Sequence, residues 1–149
     1  SKLRGGDRLL AGLAELVWRR NSQAMQSLGI DVVVPVPLYF WQGLLRPHNP
    51  AAVLAEVWGK RLNAPSATHI LRKIRWTEAQ ARLNPTQRRV NVQNAFAVAK
   101  GTLPAGATVL LADDVLTTGT TANEAARVLK RAGAARVVVA VLARGLGRR

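Results

Sequence analysis

Residues Leu110–Thr121 read LLADDVLTTGTT. An apolar run ends in two adjacent carboxylates, Asp113 and Asp114, in a chain that has only eight acidic residues. Four threonines around Gly119 follow at once. The unbroken apolar character of TVLLA is that of a strand buried on both faces, and ANEAARVLKRAGA beyond it reads as a helix stopped at Gly133. A strand, a loop and a first helical turn make up the place where open α/β sheets bind ligands. Gly119 lets the backbone turn closely about a bound group. The amides of Thr118–Thr121 and the hydroxyls of Thr117, Thr118, Thr120 and Thr121 then donate to an anion held on the helix dipole. This is a phosphate cradle without the lysine and spacing of a Walker loop or the three glycines of a dinucleotide fingerprint. Adjacent carboxylates repel each other unless something cationic or hydroxylic separates them. A ribose diol with Mg²⁺ nearby meets that demand, so a ribose 5-phosphate suits the acid pair and the cradle together.

Outward from this stretch, helix and strand alternate. Asp7 precedes LLAGLAELVWRRNSQAMQSL, where Leu9, Leu13, Leu16 and Val17 recur at helical spacing; Asp7 is read as N-cap and Gly29 as the stop. DVVVPVPL, from Asp31, is a buried strand running into a proline-stiffened loop, and Pro50 opens a helix reaching Leu62. Residues Ala67–Ile74 read as a second strand. From about 75 to 98 the chain is basic, amide-rich and broken by Pro85, which suggests a mobile flap with one helical turn and a short hairpin rather than core. ARVVVAVLAR closes the chain as another buried strand. These elements predict a single α/β domain over residues 1–149, with a mainly parallel sheet covered by helices on both faces.

The net charge is +14, from 22 lysines and arginines. Such a field attracts polyanions, whether nucleic acid or a small phosphorylated ligand, but it also serves simply to keep a surface soluble. The absence of cysteine excludes a disulfide framework and cysteine metal ligation. No apolar run approaches the roughly 18 residues a membrane span needs, so a cytoplasmic protein without membrane insertion is expected.

The run at Leu110–Thr121 resembles the 5-phosphoribosyl-1-pyrophosphate (PRPP) signature of type I phosphoribosyltransferases, and other segments are similar to their ComF/GntX-like branch. Val34–Leu38 resembles the branch's first-strand loop, and Arg46 and Asn49 its Arg-Gly-Phe-Asn-Gln element. Thr77, Gln80, Arg88, Asn91, Val92, Ala95 and Phe96 match its Thr-x-x-Gln…Arg-x-x-Asn-Val-x-x-Ala-Phe flap, and Lys2 its Lys-Tyr-x-Gly opening. The resemblance implies a type I phosphoribosyltransferase fold with a flexible hood. It implies Asp113 and Asp114 on the ribose hydroxyls and on Mg²⁺, directly or through water, and Thr117–Thr121 on the 5-phosphate. Val36, Pro37, Leu38, Arg46 and Asn49, with the flap residues Thr77, Gln80, Arg88 and Asn91, would serve the pyrophosphate. It implies a bacterial protein linked to DNA uptake and the competence machinery, and a homodimer as in related enzymes. Zinc is not expected, because the CxxC module common in the branch has no counterpart in a cysteine-free chain; either the chain was trimmed after that module or the lineage lost it.

The sequence departs from the branch in three places. RPHNP stands for RGFNQ, so Pro47 and Pro50 stiffen a turn that usually contains glycine. YFWQGLL, from Tyr39, replaces residues that are basic in relatives, which weakens the expected grip on pyrophosphate. Thr117 replaces an acidic residue that assists the incoming base in purine-specific relatives, and threonine is no general base near neutral pH. Two functions follow: Mg²⁺-dependent transfer of a phosphoribosyl group to an unidentified acceptor, or PRPP sensing by a non-catalytic factor that binds single-stranded DNA. Trp76 and Tyr39-Phe40-Trp41, in predicted loops among basic residues, suit either base stacking or apolar closure of the site. Trp18 and Trp58, in helical patterns, are assigned to core or dimer packing.

Overall fold

The computed structural model describes residues 5–38, 48–79 and 82–145. In chain order these form α1 (Gly5–Ser27), β1 (Val32–Pro35), α2 (Pro50–Leu62), β2 (Leu71–Lys73), α3 (Pro85–Val92), β3 (Phe96–Val98), β4 (Thr108–Leu116), α4 (Thr120–Arg131) and β5 (Arg136–Arg144). Strand β4 lies at the centre of an all-parallel sheet of order β1-β4-β5. Its register sets Pro35 beside Ala112 and Ala112 beside Ala140. The chain at Ser66 adds one parallel rung outside β1, where Val33 N–H donates to the Pro65 carbonyl and Ala67 N–H to the Val33 carbonyl, each at 2.9 Å.

Val109, Leu110, Leu111 and Ala112 are essentially sealed from solvent, as a strand covered on both faces requires. Alternate side chains go to opposite layers. Val109 and Leu111 meet Ala122, Ala125 and Leu129 of α4, together with Phe96 of β3. Leu110 and Ala112 meet the layer of α1 and α2, made by Ala14, Trp18, Met25, Leu54, Ala55 and Trp58. Trp58 is fully buried, and its Nε1 donates to the Ala14 carbonyl at 3.0 Å, tying the two helices together. Trp18 and Trp58 are thus core residues.

Several expectations need correction. Asp7 lies within the first turn of α1 and is buried beside His48, so it is not the cap. The stripe Leu9, Leu13 and Leu16 faces solvent, because the helix buries the neighbouring face of Ala14, Trp18 and Met25. Only Leu71–Lys73 of the predicted second strand pair, and they pair antiparallel with β3 outside the main sheet. Pro85 does not break structure: it opens α3 behind the cap residue Asn84, which forms a capping box with Gln87. The foot of the flap is core, since Val92, Ala95 and Phe96 are buried.

Removal of the Trp58 side chain leaves a large hole between α1, α2 and the sheet. Trp58→Ala is expected to cost about 3–5 kcal/mol of stability, measured by urea denaturation.

Candidate phosphoribosyl-binding site

The candidate site sits at the carboxyl end of β4. There the backbone leaves the sheet through Thr117 and Thr118, and Gly119 occupies the N-cap position of α4 at φ 77°, in the left-handed region that glycine tolerates best. Gly119 brings no side-chain cap to the helix start, and the first-turn residues Thr120, Thr121 and Ala122 line the hollow that opens there. A hollow of about 170 Å³ opens there, lined by Asp113, Val115, Leu116, Thr117, Thr118, Gly119, Thr120, Thr121 and Ala122. Every cradle residue expected from the sequence is in that lining. The Thr118 and Thr120 hydroxyls lie 2.8 Å apart and share a hydrogen bond, which orients both over the helix start.

The two carboxylates are close together but serve different openings. Asp113 lines the cradle hollow, whereas Asp114 borders a groove against α1, as alternation along the strand dictates. Asp114 N–H donates to Asp113 Oδ1 at 2.9 Å, and Val115 N–H to Asp114 Oδ1 at 3.0 Å. Burial first, then a side-chain hydrogen bond and charge repulsion from Asp114, push the Asp113 carboxyl up to about 7, against the opposing pull of the Asp114 N–H. A group poised there changes charge when a cation or a hydroxyl-rich ligand arrives. Among the described residues no three His, Asp or Glu side chains gather into a metal cluster.

The pairing of β1 with β4 delivers the loop after Pro35 to the side of the acid pair. Val36 is fixed by its own backbone. Its N–H donates to the Ala112 carbonyl at 2.8 Å, and its carbonyl accepts from Asn49 Nδ2 at 2.9 Å. Asn49 also caps α2 by accepting from Ala51 N–H at 3.1 Å, so it clasps the loop to the helix. Pro37 and Leu38 are half-buried beyond this clasp. His48 Nδ1 lies 3.5 Å from the buried Asp7 carboxylate, joining α1 to the same corner. Arg46 and the Tyr39-Phe40-Trp41 cluster fall outside the described residues, as does Gln80.

The flap residues stitch the flap together. Asn91 accepts from Glu78 N–H and donates to the Glu78 carbonyl, both at 2.9 Å. Arg75 donates to the carbonyls of Asn91 and Gln93, both at 2.6 Å, and Thr77 is buried beneath. Arg88 Nε donates to the Leu83 carbonyl at 2.8 Å. Beside the cradle hollow, a second pocket of about 300 Å³ that shares Thr118 and Thr120 with it brings in two cations, Arg89 and Arg127, with Asn123 and Glu124. Glu124 and Arg127 were not singled out in the sequence. The Glu124 carboxylate accepts from Arg127 at 2.6 Å and from Asn94 N–H at 3.0 Å, which fastens the end of the flap to α4. The Arg127 hydrogen bond holds that carboxyl below its usual range. Opposite charges three apart on a helix were the available signal.

With this geometry in hand, the comparisons with known proteins decide the family. The phosphoribosyl transferase domain matches residues 49–149. This chain belongs to that family. It is 36% identical over 140 residues to competence protein F of Haemophilus influenzae, a match covering 93% of this chain and 61% of the relative. It is 33% identical to the DNA utilization protein YhgH of Salmonella typhimurium, over 93% of this chain and 61% of that one. The chain therefore spans about three-fifths of these relatives' length. Among solved structures, adenine phosphoribosyltransferase from Saccharomyces cerevisiae superposes with TM-score 0.57 at 18% identity, covering 95% of this chain and 70% of that chain. A glutamine PRPP amidotransferase from B. subtilis gives 0.51 at 22%, covering 80% and 26%. These structural likenesses establish the type I phosphoribosyltransferase fold.

The Asp113 carboxyl carries a signature in stability. It titrates near 7 in the fold against about 4 in an unfolded chain, so between those values the folded state binds more protons than the unfolded state. Stability then falls as pH rises from about 4 to about 7 and levels off above. Asp113→Asn is expected to flatten that fall. In thermal melts followed by circular dichroism, the variant should match the wild type near pH 4 and melt higher at pH 8.

Proposed function

We propose that this protein binds PRPP with Mg²⁺ and transfers its phosphoribosyl group to an unidentified acceptor, in a role tied to DNA uptake. The observation that carries this reading is the hollow that unites Asp113 with Thr117–Thr121 at the end of a doubly buried strand. The 5-phosphate rests on the first-turn amides and threonine hydroxyls, where the helix dipole favours negative charge. The Asp113 carboxylate, in the hollow, accepts hydrogen bonds from the ribose hydroxyls, and Asp114 beside it adds negative charge from the neighbouring groove. The Asp113 and Asp114 carboxylates would hold Mg²⁺ together with ligand oxygens, the donors that ion prefers, and the ion would supply positive charge toward the pyrophosphate. The bond from C1 to the pyrophosphate oxygen breaks and leaves oxocarbenium character on the ribose, which the acidic pair stabilises electrostatically. The acceptor's lone pair then forms the new bond to C1. Thr117 supplies no base, so the acceptor brings its own nucleophilicity and gives its proton to solvent.

Calorimetric titration of PRPP tests this. Binding that requires Mg²⁺ and falls at least tenfold in both Asp113→Asn and Gly119→Val is the expected outcome. No binding to folded wild-type protein would refute the reading.

One observation favours a second role in binding single-stranded DNA. Trp76 is 57% exposed, two residues from the exposed Ile74, next to Arg75 and four residues from the exposed Arg72. An exposed aromatic among arginines suits base stacking above a phosphate track. The names of the relatives, a competence protein and a DNA utilization protein, agree with this role. In fluorescence anisotropy with an oligonucleotide, Trp76→Ala is expected to weaken binding several-fold and leave PRPP binding intact. Wild-type log affinity should fall with log salt at about 0.7 per phosphate contacted. Salt-insensitive binding would exclude the role.

A further inference from the structure

The pocket of about 300 Å³ between α3 and α4 offers donors that the chain itself does not use, and neither Asp113 nor Asp114 lines it. Arg89 enters it from α3 and has no hydrogen-bond or ion-pair partner among the described residues. Arg127 enters from α4 with part of its fork committed. Its Nε and Nη2 donate to the Glu124 carboxylate at 2.9 and 2.6 Å, while its Nη1 donors have no partner among the described residues. Those two bonds hold the guanidinium in one orientation. Glu124 also accepts from Asn94 N–H, so its charge is matched inside the pocket and that of Arg89 is left over. The Asn123 side-chain amide is likewise without a partner among the described residues. Thr118 and Thr120 form the wall shared with the cradle hollow. Their hydroxyls share one hydrogen bond at 2.8 Å, and whichever donates, the other keeps its proton for a ligand. A concave surface with unmatched donors and surplus positive charge suits an anion.

We propose that this pocket takes a second phosphate joined to the one on the cradle, so that nucleoside 5′-diphosphates bind here and shut PRPP out. The inference rests on reading the cradle as the seat of the 5-phosphate. A wall of two threonine side chains separates the hollows, so a group attached to the outer side of that phosphate passes directly from one to the other. The second phosphate then meets Arg89 and Arg127 in charge-assisted hydrogen bonds. PRPP has no group to place there. Its pyrophosphate hangs from C1, at the other end of the ribose, toward the loop that β1 delivers to the acid pair. The donors of the pocket read phosphate rather than base, so the nucleotide's base is immaterial to this contact. The mooring of Asn94 to Glu124 keeps the end of the flap, and with it α3, against α4, so both cations are in place before the ligand arrives.

Calorimetric titration of the full chain with UMP and with UDP tests this, in the absence of Mg²⁺ so that the protein's own donors meet the phosphates. UDP is expected to bind about tenfold tighter than UMP and to compete with PRPP. Arg89→Ala removes a side chain with no partner to orphan, so the fold is expected to be unchanged by circular dichroism. It should erase most of the advantage of UDP and leave the affinities for UMP and PRPP within about twofold of wild type. UMP binding with UDP no tighter would overturn this inference alone. So would an Arg89→Ala variant that keeps the UDP advantage or that weakens UMP and UDP equally, and so would UDP and PRPP binding side by side. Failure of both nucleotides to bind folded protein would overturn the cradle reading and this inference with it.

Discussion

A strand buried on both faces can carry a carboxylate only where it ends, and the organisation of this protein depends on that constraint. Strand β4 is apolar from Val109 to Ala112 because α4 covers one side of it and α1 with α2 the other. Its first ionisable side chains, Asp113 and Asp114, emerge where both layers stop. Burial still raises the cost of charge on Asp113, which tunes it toward neutrality. Parallel pairing brings the end of β1 alongside and the start of α4 directly after, so a proline-stiffened loop and an uncapped helix terminus converge on the same carboxyl edge.

Much of this was legible in the sequence because the signals there are local. The β-branched and leucine-rich runs marked β1 and β4 as doubly covered strands, and Gly119 among threonines marked the cradle. The closing run, expected as another buried strand, is β5, an edge strand with no fully buried residue and with Val139 exposed. Failures came where tertiary context overrode a local pattern. The leucine period of α1 was read correctly as helical, but the face carrying Ala14 and Trp18 is the buried one, since small and large residues together fit the α2 surface. Residues Ala67–Ile74 are apolar enough for a long strand, yet only three of them pair, because the chain crosses to a separate hairpin after touching β1 at Ser66.

The flap shows how a family pattern can mix structural and ligand-directed residues. Thr77 and Asn91 are bonded into or buried under the flap itself, Val92, Ala95 and Phe96 anchor its foot in the core, and Arg89, next to the pattern's Arg88, lines the pocket beside the cradle. A pattern read along the chain cannot separate these duties, because a buried amide that closes a loop and an amide that meets a ligand are chemically the same residue. What separates them is the partner, and for Asn91 the partner is Glu78, thirteen positions away.

That closure has a structural consequence. Arg75 and Asn91 fasten the two ends of the flap to each other, and Glu124 moors its exit to α4, so the intervening residues hang from a sealed neck. Changing the length of a loop whose ends are already pinned alters its closure entropy only logarithmically. The segment between Glu78 and Asn91 can therefore change in length or charge while the sheet and the Thr117–Thr121 turn stay as they are.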